Sequence, residues 1–339
     1  LKRTSGSAGL GNFALQILRD PAHSVEPDAM DVVSPLLPSS SQAEEIASLF
    51  YVDLIVDVVI LSLVVGLVLA VIVRNRRRPP DYVPKQDFGA EKLEWIWTIV
   101  PLMIVTGLFL YTVKVMREVD PKPIGKQPDV LIVAHQWWWE VHYIPSGGIT
   151  ANEIHMPVGK DLLFEVQSAD VIHDFWVPAL GQKVDAIPNH PNYAWYDVER
   201  PGTYLGTCAE FCGAEHAWMR IRVMAEPLPA FNTWLEEQLL DARRPSGPQA
   251  IAGARLFEKH TCMNCHSIRG TPADGAIGPD LTHIASRQTL AAGVFRNTPD
   301  NLMKWIQKPQ KYKPGCRMPN LDLSRPAFEQ IVAYLEELR

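Results

Sequence analysis

Two short stretches of the 339-residue chain carry residue types at spacings that fit metal chemistry. The first is Cys208-Ala-Glu210-Phe-Cys212-Gly-Ala-Glu-His216-Ala-Trp-Met219, which places two thiols, an imidazole and a thioether in twelve residues. Thiolate, imidazole and thioether donors together select copper over hard cations. A mononuclear blue-copper site takes one Cys, two His and a weak Met. Here a second Cys follows four residues after the first, so two thiolates can bridge two copper ions. Such a pair shares one unpaired electron and changes little on reduction, which suits electron transfer. Two coppers need a second imidazole, and His173, in Asp170-Val-Ile-His173-Asp-Phe-Trp-Val-Pro178, is the candidate from a distant loop. A Cys208–Cys212 disulfide, allowed in an exterior compartment, would leave His216 and Met219 without a role. Zinc, the other alternative, rarely uses Met.

The second stretch, Cys262-Met-Asn-Cys265-His266, is the attachment pattern for a c-type haem. Its two cysteines add to the haem vinyl groups and His266 becomes an axial iron ligand. A thioredoxin-like Cys-x-x-Cys is the main alternative, but no βαβ pattern surrounds this one. The opposite axial ligand is expected to be a Met, because Met/His ligation raises the reduction potential. Met318 in Gly315-Cys-Arg-Met318-Pro319 is the favoured residue, whereas Met303, beside Leu302, Trp305 and Ile306, reads as core. Cys316 is left over as a partly buried thiol without a role. His135, His142, His155, His190, His260 and His283 read as surface or core residues.

The rest of the chain must position these groups. Its length suggests about two soluble domains, or one plus membrane segments. A net charge of −6, from 32 Lys+Arg against 38 Asp+Glu, argues against a nucleic-acid partner. Five cysteines are too few for a disulfide scaffold. Two apolar runs, Ile46 to Val73 and Trp95 to Val113, are each long enough to cross a ~30 Å hydrocarbon core. Asp53 and Asp57 lie near the start of the first and are expected at the interface or against a partner helix. The loop between the runs holds Arg74, Arg76, Arg77 and Arg78, which keeps it cytoplasmic and places both flanks outside. Residues 1–45 read as an irregular exterior arm, and a start at Leu1 is compatible with removal of a signal peptide. Residues 46–118 form a transmembrane hairpin, and 125–240 a β-rich domain of short strands between Gly, Pro and Asn turns. Residues 241–249, including Arg-Arg-Pro-Ser-Gly-Pro, form a linker, and 250–339 return to helical spacing.

Residues 45–227 resemble subunit II of the haem–copper cytochrome c oxidases, through Leu93-Glu94-Trp-Ile-Trp97-Thr98-Ile-Val-Pro101, His135-Gln136-Trp137-Trp138-Trp139 and both copper loops. Residues 250–339 resemble a class I cytochrome c, through Gly253-Ala-Arg-Leu-Phe257, the haem pentapeptide and Gly278-Pro279-Asp280-Leu281. Together they resemble the caa-type oxidases, in which a cytochrome c is fused behind the copper domain. The resemblance implies a multidomain membrane protein: a two-helix transmembrane hairpin, an all-β Greek-key cupredoxin domain and an all-α class I cytochrome c domain.

It also implies roles. The binuclear CuA ligands would be His173, Cys208, Cys212, His216, Met219 and the backbone carbonyl of Glu210, whose side chain would help hold a magnesium ion at the interface with subunit I. Trp137 would pass electrons into CuA, the alternative being a buried aromatic of a strand. Glu94 would sit at the mouth of a proton channel, the alternative being an interfacial carboxylate. The Pro279 carbonyl would fix the His266 tautomer. Asn189-His190 stands where many relatives have Gly-Arg, so the resemblance does not carry over a role of that arginine in docking onto subunit I. The implied partners are oxidase subunit I, which would carry the oxygen site because neither apolar run here holds a histidine, subunit III, and a cytochrome c or membrane-bound cytochrome donor. The implied location is the bacterial cytoplasmic membrane. A CuA-type nitric oxide reductase subunit and a stand-alone membrane-tethered electron carrier are the rival readings.

Overall fold

The computed structural model describes residues 31–32, 34–79, 82–83, 86, 89–119, 125–260 and 262–339. The chain divides into two compact units: Gln42–Asp120, and Pro121–Arg339 together with the segment up to Ser41. The first holds two long helices, α1 (Ser41–Asn75) and α2 (Glu91–Val119). Their middles present Leu, Val and Ile outward all round, as a span facing hydrocarbon must. Thr98, Thr106 and Thr112 return their hydroxyls to carbonyls one turn back, which satisfies those three groups within the helix, while Asp53 and Asp57 of α1 are exposed in the chain alone.

Most of the expected arm lies outside the described residues, but its end is not irregular. A two-residue strand, β1 (Asp31–Val32), pairs parallel with a later strand of the β domain. Ser39 then donates to the Ala179 carbonyl, and Ser41 donates to Asp197. Helix α1 begins at Ser41, before the apolar run, because polar contacts rather than hydropathy set its start.

The β domain is a two-sheet sandwich. One sheet runs β4 (Gly148–Ala151), β3 (Trp138–Tyr143), β2 (Val130–His135), β6 (Leu162–Ser168), β9 (Asn192–Tyr196). The other runs β5 (Glu153–Pro157), β11 (Arg220–Glu226), β10 (Gly202–Cys208), β7 (His173–Trp176), β8 (Val184–Ala186), with β1 also on β10. Alternate residues of β2 and β3 point inward, and Trp139, Phe164, Phe175, Tyr196 and Tyr204 fill the space between the sheets. Tyr196 meets Phe164 and Phe175 edge-on, a preferred aromatic geometry. Helix α3 (Leu228–Gln238) closes one end by laying Phe231 and Trp234 against Tyr143.

The C-terminal domain is helical: α4 (Pro248–Lys259), α5 (Pro299–Gln307), α6 (Pro309–Tyr312) and α7 (Arg325–Leu335), with a small hairpin of β12 (Thr289–Leu290) and β13 (Phe295–Arg296). Proline opens or nearly opens each helix, and the Thr298 and Ser324 hydroxyls cap α5 and α7. Helices α4 and α7 cross at Gly253, where an added Cβ would collide with the Gln330 backbone carbonyl and stand 2.9 Å from the Tyr334 Cβ. Gly253→Ala is therefore expected to destabilise this domain by about 3 kcal/mol, the upper end for overpacking against backbone, measured as a lowered calorimetric transition.

Candidate redox site

The two copper-type loops meet at one end of the sandwich. Strand β10 ends at Cys208, β7 begins at His173, and β11 begins just after Met219, so three strand ends deliver the donors. The Cys208 and Cys212 sulfurs lie 3.7 Å apart. His173 Nδ1 is 3.9 Å from the Cys208 sulfur, and His216 Nδ1 is 3.6 Å from that of Cys212. Met219 Sδ stands 4.0 Å from Cys212, and the Glu210 carbonyl 3.2 Å from Cys208. Cys208, Cys212, His173 and Met219 are buried, while the Glu210 side chain is exposed. His173 keeps Nδ1 toward the sulfurs because Asp170 Oδ1 takes its Nε2 at 2.8 Å. Burial alone would raise Asp170, but the His173 hydrogen bond and the Gln136 and Val171 amides hold it at about 2, a permanent anion behind the imidazole. The Cys208 thiol is held well below its ordinary value, first by the hydrogen bond from Cys212 and, against burial, by His173. A thiolate is ready at that position.

The second site is an apolar cleft in the C-terminal domain. Cys262, Cys265, His266, Pro279, Leu302, Ile306 and Met318 are among the residues on its wall. His266 Nδ1 donates to the Pro279 carbonyl at 2.8 Å, leaving Nε2 as the free nitrogen. Burial pushes the imidazole below its ordinary value, so it stays neutral and able to coordinate. An added Cβ on Gly278 would stand 2.5 Å from His266 Cε1, so only glycine allows this approach. Met303 is absent from the cleft wall and its sulfur accepts from Gln307 at 3.2 Å. Cys316 lies on the wall, where its thiol faces the Met318 carbonyl at 3.5 Å.

Trp137 lies where the two sites approach each other. Its indole Nε1 donates to the Cys212 carbonyl at 3.0 Å, and Gln136 Nε2 reaches the same oxygen at 2.8 Å. An added Cβ on Gly213 would stand 3.0 Å from Trp137 Cζ2, and one on Gly315 3.7 Å from Cη2. The ring is thus bordered by the Cys212 loop and by the Met318 loop, and Trp137 also lines the cleft. Glu94 sits in the first turn of α2, exposed in the chain alone. Sequence reasoning did not single out Asp170 as the anchor of His173, although it stands three residues before it.

A sulfur–imidazole cluster on a β-sandwich and a Cys-x-x-Cys-His cleft in a helical domain, behind two apolar helices, belong to the class of membrane-anchored electron-transfer proteins. Comparison with known proteins narrows that class. Residues 36–115 match the transmembrane domain of cytochrome c oxidase subunit II, residues 149–226 its periplasmic domain, and residues 250–339 cytochrome c. A cytochrome c oxidase subunit 2 from Alkalihalophilus pseudofirmus is 33% identical over 91% of both chains. One from Bacillus sp. (strain PS3) is 30% identical over 78% of this chain and 80% of the relative. The crystal structure of the periplasmic domain of subunit II of cytochrome oxidase (CoxB) of Bradyrhizobium japonicum is 30% identical, covering 33% of this chain and 95% of that one, with a TM-score of 0.32. The chain belongs to the cytochrome c oxidase subunit II family, in a form that carries a fused cytochrome c domain.

The family implies copper in the sandwich and a haem c in the helical domain. The residues fit both groups. Two thiols, two imidazole nitrogens, a thioether and a carbonyl converge, which is a copper donor set rather than one for a hard cation. In the cleft, the engaged Nδ1 of His266 and the glycine pressed against its ring leave one nitrogen for an axial bond.

Proposed function

We propose that the chain is the subunit through which electrons enter a haem–copper oxidase, with its own C-terminal domain as the immediate donor. The observation that carries this reading is the position of Trp137, bonded to the Cys212 carbonyl and bordered by Gly315 of the Met318 loop. A haem c and a copper pair, when bound, supply the one-electron redox capacity that these side chains lack. Cys262, Cys265, His266 and Met318 would hold the haem, with the Pro279 carbonyl fixing the His266 tautomer. His173, Cys208, Cys212, His216, Met219 and the Glu210 carbonyl would hold the copper pair. Asp170 orients His173, and Trp137 bridges the domains. The Glu210 side chain, exposed beside the copper loop, would help hold magnesium against subunit I, and Glu94 would take up protons at a channel mouth.

Electrons would pass onward to subunit I, where oxygen is reduced to water and protons are pumped, with subunit III completing the complex. A cytochrome c or a membrane-bound cytochrome complex would supply the C-terminal domain. The arginines from Arg74 to Arg78 favour a cytoplasmic loop, with the N-terminal segment and both folded domains on the exterior of a bacterial cytoplasmic membrane.

Purification from native membranes tests the reading. A polytopic partner and oxygen-consuming turnover with proton release are expected. Turnover of nitric oxide instead, or isolation of the chain without any partner, would contradict it. The axial assignment has its own test. Met318→Ala is expected to lower the haem reduction potential and Met303→Ala to leave it unchanged, read by redox titration. The reverse pattern would exchange the two residues.

A further inference from the structure

The two exterior domains are joined by more than their linker. Lys313, on the loop before Met318, is 3% exposed, yet its ammonium leaves its own domain for two of three bonds. Nζ donates to the Trp137 carbonyl at 2.7 Å, the Trp218 carbonyl at 2.8 Å and, at home, the Ala291 carbonyl at 3.1 Å. All three protons are used, which is the full capacity of a lysine. Glu153, on β5 of the sandwich, is 2% exposed and does the converse. Its carboxylate accepts the Thr289 amide and hydroxyl at 2.7 Å each and the Gln288 amide at 2.9 Å, all from the C-terminal domain.

Charged groups are rarely buried without such partners, because desolvation must be offset by hydrogen bonds to the charge. Lys313 takes most of its partners, and Glu153 all of its three, from the other domain. The linker is held too, with Ser246 bonded to Glu337 by amide and hydroxyl, and Arg269 to the Gln238 and Leu239 carbonyls. The Arg317–Asp170 pair at 3.5 Å is exposed on the arginine side and adds little.

We propose that Lys313 and Glu153 are positioning residues that lock the C-terminal domain onto the sandwich, holding the mouth of its cleft over Trp137. The inference rests on the electron path given under Proposed function. Its consequence is that the donor is docked and does not swing. Trp137, 9% exposed, is covered by that domain, so an external donor must deliver to the C-terminal domain and not to the sandwich.

Full-length protein in detergent, carrying both metal centres, provides the test. The C-terminal domain is photoreduced with a ruthenium dye and copper reduction is followed in buffers of increasing viscosity. The native chain is expected to transfer at a rate independent of viscosity. Lys313→Met and Glu153→Gln are each expected to slow transfer about tenfold and make it viscosity-dependent, with copper content, haem attachment and both absorption spectra unchanged, since bonds to a buried charge are lost. Hydrogen exchange at residues 288–292 and 137–139 should rise in both variants, a readout that needs no electron transfer. A native rate that falls with viscosity would overturn the lock while leaving the path intact, and requires no variant. Transfer that is absent altogether would overturn the path and the lock together. Unchanged rates and exchange in both variants would remove the two residues from the role.

Discussion

Trp137→Leu is expected to slow electron transfer from the C-terminal domain to the copper loop by about a hundredfold or more, the scale on which small misplacements cost a reaction. Copper content, haem attachment and both absorption spectra should stay unchanged, because Trp137 donates to a carbonyl and not to a proposed ligand atom. Leucine removes the indole donor to Cys212 and empties the space between Gly213 and Gly315. Trp139, two residues on, is the control. It is fully buried in the sandwich, so Trp139→Leu should cost stability, about 3 kcal/mol or more for an emptied aromatic site. Flash-induced kinetics together with chemical denaturation separate the two. Slowed transfer in the Trp139 variant alone would move the bridge to that residue.

Cys212→Ser carries the second large effect. It should abolish the copper pair outright while the C-terminal domain keeps its haem spectrum. The Cys212 sulfur stands within 4.0 Å of the Cys208 sulfur, His216 Nδ1 and Met219 Sδ, so it is the hub of the cluster. A serine oxygen is a harder donor and poorly matched to copper. His173→Ala should have the same outcome from the other loop, and Asp170→Asn a weaker one. Loss of an orienting partner typically costs about 10–100-fold in metal affinity. Copper analysis beside the visible spectrum measures all three. Full copper content in Cys212→Ser would overturn the ligand assignment.

Much of this was legible in the sequence because the donor types and their spacing are local. Cys208 to Met219 and Cys262 to His266 are single loops, and each fold element they need begins or ends beside them. The apolar runs read as spans because they are continuous, although α1 and α2 extend past them into polar residues held by backbone geometry. Short strands such as β7 and β8 have no signature of their own in the sequence, since three or four residues carry no period.

What could not be read was long-range. The pairing of Asp31–Val32 with β10 joins residues far apart in the chain, and nothing in the arm's composition signals it. The tether is the clearer case. Arg-Arg-Pro-Ser-Gly-Pro reads as a flexible link that raises the local concentration of a mobile donor. The structure shows Lys313 and Glu153, in sequence an ordinary lysine and glutamate, buried in the opposite domain's backbone. Only the assembled surfaces make them special.

The most direct test of the account is the paired spectrum of the full-length chain after copper loading and haem attachment. Electron paramagnetic resonance should show hyperfine structure from two equivalent coppers sharing one electron, and the visible spectrum a low-spin haem with His and Met axial ligands. A single-copper signal, or none from a correctly folded chain, would contradict the reading of the Cys208–Met219 loop as a binuclear electron acceptor.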